Sequence, residues 1–129
     1  MILLDTDICV ELLRGNINVI HSKKKEIQKA SVSYMTAGEL FYGVAKSGNY
    51  IKNNLLVKTF LTTVEIINTD LEIMEMFGNL KSNLQKSGNM LPDADIIIAS
   101  VAICKCTKLI TGNTSHFSRF KNLKLENWL

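Results

Sequence analysis

The chain has 129 residues, enough for one compact domain with a hydrophobic core. Its net charge of +3, from 15 Lys and Arg against 12 Asp and Glu, is only a weak indication of a nucleic-acid partner. No apolar run is long enough to span a bilayer and no secretory signal is recognisable, so we expect a cytoplasmic protein with no membrane partner. The three cysteines are too few for a disulfide framework.

Strands and helices alternate in the first half of the chain. The predicted elements are a strand at Met1–Asp5, helices at Asp7–Arg14 and Ile17–Lys29, a strand at Ser31–Met35, and a helix opened by the capping box Thr36-x-x-Glu39. The first strand is a continuous apolar run that ends in an acid, which is typical of a central strand buried on both faces. In the second helix, Ile17, Ile20 and Ile27 are predicted to face inward.

The alternation continues in the second half. The predicted elements are a helix at Asn49–Thr62, a strand at Val64–Asn68, a long helix from the capping box Thr69-x-x-Glu72 to Ser87-Gly88-Asn89, an apolar helix from Pro92, a strand at Lys108–Thr111, a loop or short helix at Gly112–Phe120, and an edge strand at Leu123–Glu126. Core candidates are Leu55, Leu56, Val57, Phe60 and Leu61 in the first of these helices, and Leu71, Met74, Phe77, Leu80 and Leu84 in the second. This order predicts an α/β protein with a parallel sheet between helices.

Acidic and amide side chains follow the predicted strands at the points where the strands end. Asp5, Glu39, Asp93, Asp95 and Asn113 are therefore expected at the carboxyl edge of the sheet. Converging carboxylates stay ionised together only with a cation between them, and oxygen ligands favour Mg²⁺ or Mn²⁺. Such an ion activates water and neutralises charge on a phosphate, so the pattern indicates hydrolysis of a phosphodiester.

Each acid, taken singly, also has a simpler explanation. Glu39 completes a capping box, and Thr69-x-x-Glu72 repeats that pattern with no site implied. Asp93 and Asp95 complement a helix dipole. Asp95 is the hardest to explain in this way, because an acid beside a wholly apolar helix is costly without a partner.

Four motifs together resemble those of PIN-domain ribonucleases, and in particular the VapC-type toxins of bacterial toxin–antitoxin pairs. They are Leu4-Asp5-Thr6-Asp7, Thr36-x-x-Glu39-Leu40-x-Tyr42-Gly43, Asp93-x-Asp95-x-x-Ile98-Ala99 and Thr111-x-Asn113-x-x-x-Phe117, followed by the ending Leu123-Lys124-Leu125-Glu126-Asn127-Trp128. The resemblance covers essentially the whole chain, so residues 1–129 are expected to form a single PIN domain. It implies a three-layer α/β/α fold with a parallel sheet of about five strands.

The resemblance also implies an activity and partners. It implies a Mg²⁺- or Mn²⁺-dependent endoribonuclease that cuts structured RNA, often transfer RNA, forms a homodimer and is inhibited by a cognate antitoxin. Carried over by position, Asp5, Glu39 and Asp95 are the main carboxylates, Asp93 is an auxiliary acid, and Thr6, Thr111 and Asn113 position the water or phosphate. Many members carry an acid at the place of Asn113 or His116, so a second tightly held metal is not expected here.

Two groups of basic residues are candidates for RNA contacts. Lys23, Lys24 and Lys25 form one group with Lys29, and Arg119 with Lys121 and Lys124 forms the other. Both patterns are also typical of solvated surfaces. A steep fall of RNA affinity with salt would indicate phosphate contacts.

Two other functions are compatible with parts of the pattern. A signalling receiver domain also gathers acids and Mg²⁺ at the carboxyl edge of a parallel sheet. That class needs an Asp at the end of the middle strand and a Lys at the end of a later one, whereas the second strand ends at Met35-Thr36 and the fourth at Thr111. A PIN fold that binds a partner without catalysis is the second alternative.

Overall fold

The computed structural model describes residues 1–129, and its five strands form one sheet. The strands are β1 (Ile2–Leu4), β2 (Ala30–Ser33), β3 (Glu65–Ile67), β4 (Leu109–Ile110) and β5 (Leu125–Glu126). All neighbouring strands are parallel, and their order is β3-β2-β1-β4-β5. The predicted parallel five-stranded sheet is confirmed.

Seven helices flank the sheet. They are α1 (Thr6–Leu13), α2 (Ile17–Lys25), α3 (Tyr34–Ala45), α4 (Tyr50–Leu61), α5 (Leu71–Ser87), α6 (Asp93–Lys105) and α7 (Thr114–Phe117). Residues from α1–α4 line one hydrophobic core, and residues from α5–α7 line the other. The expected layer of helices on each face of the sheet is therefore confirmed. No helix is long and apolar enough to cross a membrane.

The strand β1 lies at the centre of the sheet because both of its faces are covered. Ile2 and Leu4 pack in the core on the α1–α3 side, whereas Leu3 packs in the core with α5 and α6. None of the three is accessible to solvent. Successive strand residues point to opposite faces, so this apolar triplet contributes side chains to both cores. The chain then leaves the sheet at Asp5, in the middle of the carboxyl edge.

The helix α6 is buried over most of its length, as its composition predicts. Ile96, Ile98 and Val101 have no accessible surface, and Ala99 lies among them. Pro92 occupies the position before the first turn and has no side-chain capping bond. The helix begins at the carboxyl edge of the sheet, which brings its acidic first turn to the side of Asp5.

Two predicted helix starts are wrong because nearby residues cap these helices instead. Ser33 accepts the backbone N–H of Thr36 at 3.0 Å, so α3 begins at Tyr34, and Thr36-x-x-Glu39 is not a capping box. Asp70, rather than Thr69, accepts the backbone N–H of Ile73 at 2.9 Å and caps α5. In both cases an earlier or stronger acceptor was available one to three residues away.

Several predicted core positions are exposed. The helix α2 ends at Lys25, because Glu26 is extended and turns the chain toward β2. Ile27 therefore lies outside the helical period and is exposed, as is Ile17 at the helix start, while Val19 is buried instead. In α4 only Val57 is fully buried, and Leu55 and Leu56 are exposed. In α5 Leu71 and Met74 are exposed, since Ile73 and Leu84 form the buried stripe.

Candidate active site at the carboxyl edge of the sheet

The carboxylate of Asp5 is the most deeply buried acid, with 6% of the residue exposed. Its Oδ1 accepts the backbone N–H of Thr6 at 2.7 Å, which caps α1, and its Oδ2 accepts the Thr111 hydroxyl at 2.7 Å. Burial raises the pKa of Asp5 to about 7. The hydrogen bond from Thr111 lowers this pKa, and the charges of Asp7 and Asp95 raise it further.

The carboxylate of Glu39 approaches from α3. Because α3 begins at Tyr34, Glu39 lies in its second turn rather than its first. The Thr6 hydroxyl donates to Glu39 Oε1 at 2.7 Å. The Thr6 and Thr36 hydroxyl oxygens are 3.1 Å apart, and since the hydrogen of Thr6 goes to Glu39, Thr36 is the donor between them. Thr36 was not predicted at the site.

The carboxylate of Asp95 approaches from α6. Its Oδ2 lies 3.0 Å from Nδ1 of His116, and Asn113 Nδ2 lies 2.9 Å from the same ring nitrogen. The backbone N–H of Asn113 donates to the Thr111 hydroxyl oxygen at 2.9 Å. The segment from Thr111 to His116 therefore contacts Asp95 and, through Thr111, Asp5.

Asp7 belongs to this edge although it was not predicted as a site residue. Its Oδ2 accepts the backbone N–H of Gly112 at 2.8 Å, and burial raises its pKa. A Cβ at Gly112 would collide with the Leu129 side chain and lie 2.9 Å from Asp7 Oδ2. Glycine thus allows the close approach between α1 and the turn after β4. The spacing of Asp7 two residues after Asp5 was the available sequence signal.

Asp93 is not brought into this group. Its Oδ1 pairs with Lys81 Nζ of α5 at 3.0 Å, and 58% of its side chain is exposed. The helical spacing explains the difference from Asp95, since positions two residues apart point to different sides of a helix.

The predicted lysine patch also lies away from the acids. Lys23, Lys24 and Lys25 form the last turn of α2. The next residue, Glu26, pairs at 2.9 Å with Lys108, which immediately precedes β4. The patch is therefore near the amino edge of the sheet, opposite to the acidic edge.

Arg119, in contrast, follows α7 on the acidic side. Its guanidinium donates to the carbonyl oxygens of Asn89 and Met90 at 3.1 and 3.4 Å. These residues belong to the loop that leads into α6. Arg119 and Lys121 border a cavity of about 350 Å³ between α5 and the segment after α7.

The donor set at the acidic edge fits a hard divalent ion by its chemistry. Its side-chain oxygens come from Asp5, Asp7, Glu39 and Asp95, and none of these acids pairs with a Lys or Arg. As the side chains lie, no three His, Cys, Asp or Glu residues are arranged to hold a metal ion. Binding of an ion would therefore require these carboxylates to move closer together.

Comparison with known proteins identifies the family. The PIN domain model matches residues 2–123. Ribonuclease VapC2 of Rickettsia felis is 33% identical over 129 residues, which cover 98% of this chain and 96% of that protein. The chain belongs to the PIN-domain family, among the VapC ribonucleases.

One further relative and a solved structure agree with this assignment. The tRNA(fMet)-specific endonuclease VapC of Shigella flexneri is 26% identical, and the match covers 98% of this chain and 96% of that protein. The solved VapBC2 complex of Rickettsia felis, bound to a DNA fragment from its promoter, superposes with a TM-score of 0.94 at 32% identity over 100% of both chains. The predicted family and fold are confirmed, and the receiver-domain alternative finds no support.

The buried Asp5 predicts a pH-dependent cost in the metal-free protein. The pKa of Asp5 is raised from the ordinary value of 3.8 to about 7 in the folded protein. The free energy of unfolding therefore carries no cost from Asp5 below the ordinary pKa, and it decreases as the pH rises from that value through the folded-state pKa. At about pH 8 we expect the melting temperature of Asp5→Asn to lie a few degrees above that of the unchanged protein. At about pH 4 the two melting temperatures should be equal. Differential scanning fluorimetry measures both.

The matched control is Glu75→Gln, a change to an exposed acid of α5. It should leave the melting temperature unchanged at both pH values. Added Mn²⁺ should raise the melting temperature of the unchanged protein and of Glu75→Gln, but not of Asp5→Asn. Equal melting of all three proteins at the higher pH would contradict the assignment of the cost to Asp5.

Proposed function

We infer that this VapC-type ribonuclease is the toxin of a toxin–antitoxin pair and acts as a Mg²⁺- or Mn²⁺-dependent endoribonuclease on structured RNA. The observation that carries the proposal is the buried Asp5 carboxylate, which is surrounded by other acids and has no cationic partner. Burying a charge in this way is costly unless a cation joins it. The proposal treats residues 1–129 as one PIN domain.

Asp5, Glu39 and Asp95 are the proposed ligands of the ion, and Asp93 is at most an auxiliary acid because it pairs with Lys81. When bound, a divalent ion lowers the pKa of a water and offsets the charge that builds on the phosphate. The chain's own contribution is orientation. Thr6 holds Glu39, and Thr111 holds Asp5, through neutral hydroxyl donors. Asn113 is a further polar group for the water or phosphate.

The proposed substrate class is transfer RNA, supported by the relatives whose names specify tRNA(fMet). Because transfer RNA is a cytoplasmic molecule, the proposal includes a cytoplasmic location. Arg119 and Lys121 support an RNA path on the side of α7, since both are exposed and neither pairs with an acid. Lys23, Lys24 and Lys25 lie near the amino edge of the sheet, so a short RNA bound at the acidic edge would not contact them.

A cognate antitoxin is the proposed protein partner, as in the related VapBC complexes. An apolar groove of about 290 Å³ runs between α1, α3 and α4, and its lining includes Leu13, Leu40, Val44, Leu56 and Glu39. We propose that an antitoxin segment places apolar side chains in this groove and a cationic side chain against Glu39. An Arg fits best, because it pairs with a carboxylate through two hydrogen bonds.

Two points of the sequence-based hypothesis stay predictions. A homodimer is compatible with the exposed apolar side chains of α4, including Ile51 and Leu55. A PIN fold without catalysis would share every contact described for Asp5, so only an activity measurement separates the two functions.

The first test is RNA cleavage with and without metal. We expect cleavage of transfer RNA with Mg²⁺ or Mn²⁺ and none with EDTA. Asp5→Asn, Glu39→Gln and Asp95→Asn should each lower the rate by about 100-fold or more, because each removes charge that holds the ion. A gel assay of purified, folded variants measures this.

Asp93→Asn should reduce cleavage far less than Asp95→Asn, because Asp93 is exposed and paired with Lys81. Glu75→Gln is the surface control. Undiminished cleavage in EDTA, or by folded Asp5→Asn, would refute the proposed chemistry. No cleavage by the unchanged protein with any divalent ion would favour the non-catalytic alternative.

The second test compares the two basic groups. In an Asp95→Asn background, removing charge by Arg119→Gln and Lys121→Gln should flatten the slope of log affinity against log salt by about 1.4 to 1.8, the range for two phosphate contacts. The triple change Lys23→Gln, Lys24→Gln and Lys25→Gln should leave the slope for a short hairpin RNA unchanged. Filter binding at several salt concentrations measures both, and equal slopes would contradict the proposed RNA path.

The third test concerns the groove. Expression of the chain should be toxic, and co-expression of a neighbouring reading frame should relieve it. Leu56→Glu adds a charge to the groove lining and should prevent relief while RNA cleavage persists. Leu71→Glu is the matched control, since Leu71 of α5 is 88% exposed and lies outside the groove. Equal relief in both variants would place the partner elsewhere.

A further inference from the structure

The contact between Asp95 and His116 gives this site a feature that the proposed chemistry does not require. Asp95 is held by an imidazole rather than by Lys or Arg, at 3.0 Å between Oδ2 and Nδ1. The same Nδ1 lies 2.9 Å from the Asn113 amide. An imidazole nitrogen has a single position in the ring plane for either a hydrogen or a lone pair, so the two neighbours compete for it.

The charge of Asp95 decides that competition. A carboxylate only accepts hydrogen bonds, so a lone pair on Nδ1 at this distance would repel it. The stable arrangement is therefore Nδ1–H donating to Asp95 Oδ2. The side-chain amide of Asn113 keeps its shape when its oxygen and nitrogen exchange places. Its oxygen, which can accept a hydrogen bond, then faces Nδ1–H.

The backbone that carries His116 is anchored on both sides of this residue. Phe117, the next residue, has no accessible surface and is anchored in the core with α6. The backbone N–H of Asn113 is fixed by the Thr111 hydroxyl at 2.9 Å. The backbone that carries the donor to Asp95 is therefore fixed by its neighbours, which favours a defined position of the ring.

We propose that His116 is a positioning residue for Asp95: its Nδ1–H holds one carboxylate oxygen and leaves the other free to bind the divalent ion. This inference rests on the proposed function, because it takes Asp95 as a metal ligand. An imidazole, unlike Lys or Arg, can donate this hydrogen without carrying a charge, and such a donor orients the carboxylate without cancelling its charge. The role belongs to the ring's Nδ1 and does not include contact with the ion.

The test is calorimetric titration of the metal-free protein with Mn²⁺ alone. His116→Phe keeps the ring's size and loses the donor, and we expect Mn²⁺ affinity to fall by about 10-fold to 100-fold, the range for losing such a partner. His116→Asn places an amide N–H near the former Nδ1 and should retain affinity within about threefold of the unchanged protein. His116→Gln places its amide nearer the former Nε2 and should behave like His116→Phe.

Three results would overturn the inference. Mn²⁺ affinity of His116→Phe equal to that of the unchanged protein would remove the positioning role, as would equal losses in His116→Asn and His116→Phe. A directly coordinated imidazole nitrogen, detected by pulsed electron paramagnetic resonance of bound Mn²⁺, would show that His116 is itself a ligand. Thermal melting of the metal-free variants checks that each is folded.

Asp95→Asn separates this inference from the proposed function. If Asp95→Asn abolishes Mn²⁺ binding and His116→Phe does not weaken it, only the role of His116 fails. If Asp95→Asn binds Mn²⁺ as well as the unchanged protein, the proposed metal site fails and the inference fails with it. Loss in Asp95→Asn and in His116→Phe, with retention in His116→Asn, is the expected result.

Discussion

The burial of the Asp5 carboxylate at the end of the central strand is the constraint on which the rest of the site depends. The apolar residues of β1 fill both cores, so the strand cannot shift without exposing them. Asp5, the first residue beyond the strand, is therefore buried from water at the middle of the carboxyl edge. Burial raises the pKa of Asp5 to about 7, and hydrogen bonds from Thr111 and Thr6 recover only part of that cost.

Hydroxyl and imidazole donors hold three acids of this edge, whereas lysines pair with several of the acids elsewhere. Thr111, Thr6 and His116 contact Asp5, Glu39 and Asp95 respectively. At the periphery, lysines pair with Asp70, Glu26 and Asp93 instead. A hydroxyl or imidazole donor fixes the geometry of a carboxylate but leaves its charge available to a cation. This contrast separates the proposed site acids from the peripheral ion pairs more clearly than their positions in the sequence do.

The acidic edge is approached by two different surfaces. The apolar groove of α1, α3 and α4 reaches it at Glu39, and the basic segment containing Arg119 reaches it from beyond α7. The groove offers apolar contacts, which suit a protein segment, and the basic segment offers cations, which suit the phosphates of RNA. Both partners would compete for the same carboxylates, which gives inhibition a direct physical basis.

The sequence by itself determined the order of the elements, the central place of β1, the buried α6 and the family, because these depend on apolar runs and motif spacing along the chain. It also placed Asp5, Glu39 and Asp95 near one edge. Only the tertiary structure separated Asp93 from Asp95, added Asp7 and Thr36, and moved Lys23–Lys25 to the opposite edge. Those outcomes depend on which neighbour each side chain meets across the fold. The exposed Leu71 and Met74 have the same origin, since helical spacing predicts which residues share a face, and only packing decides which face is covered.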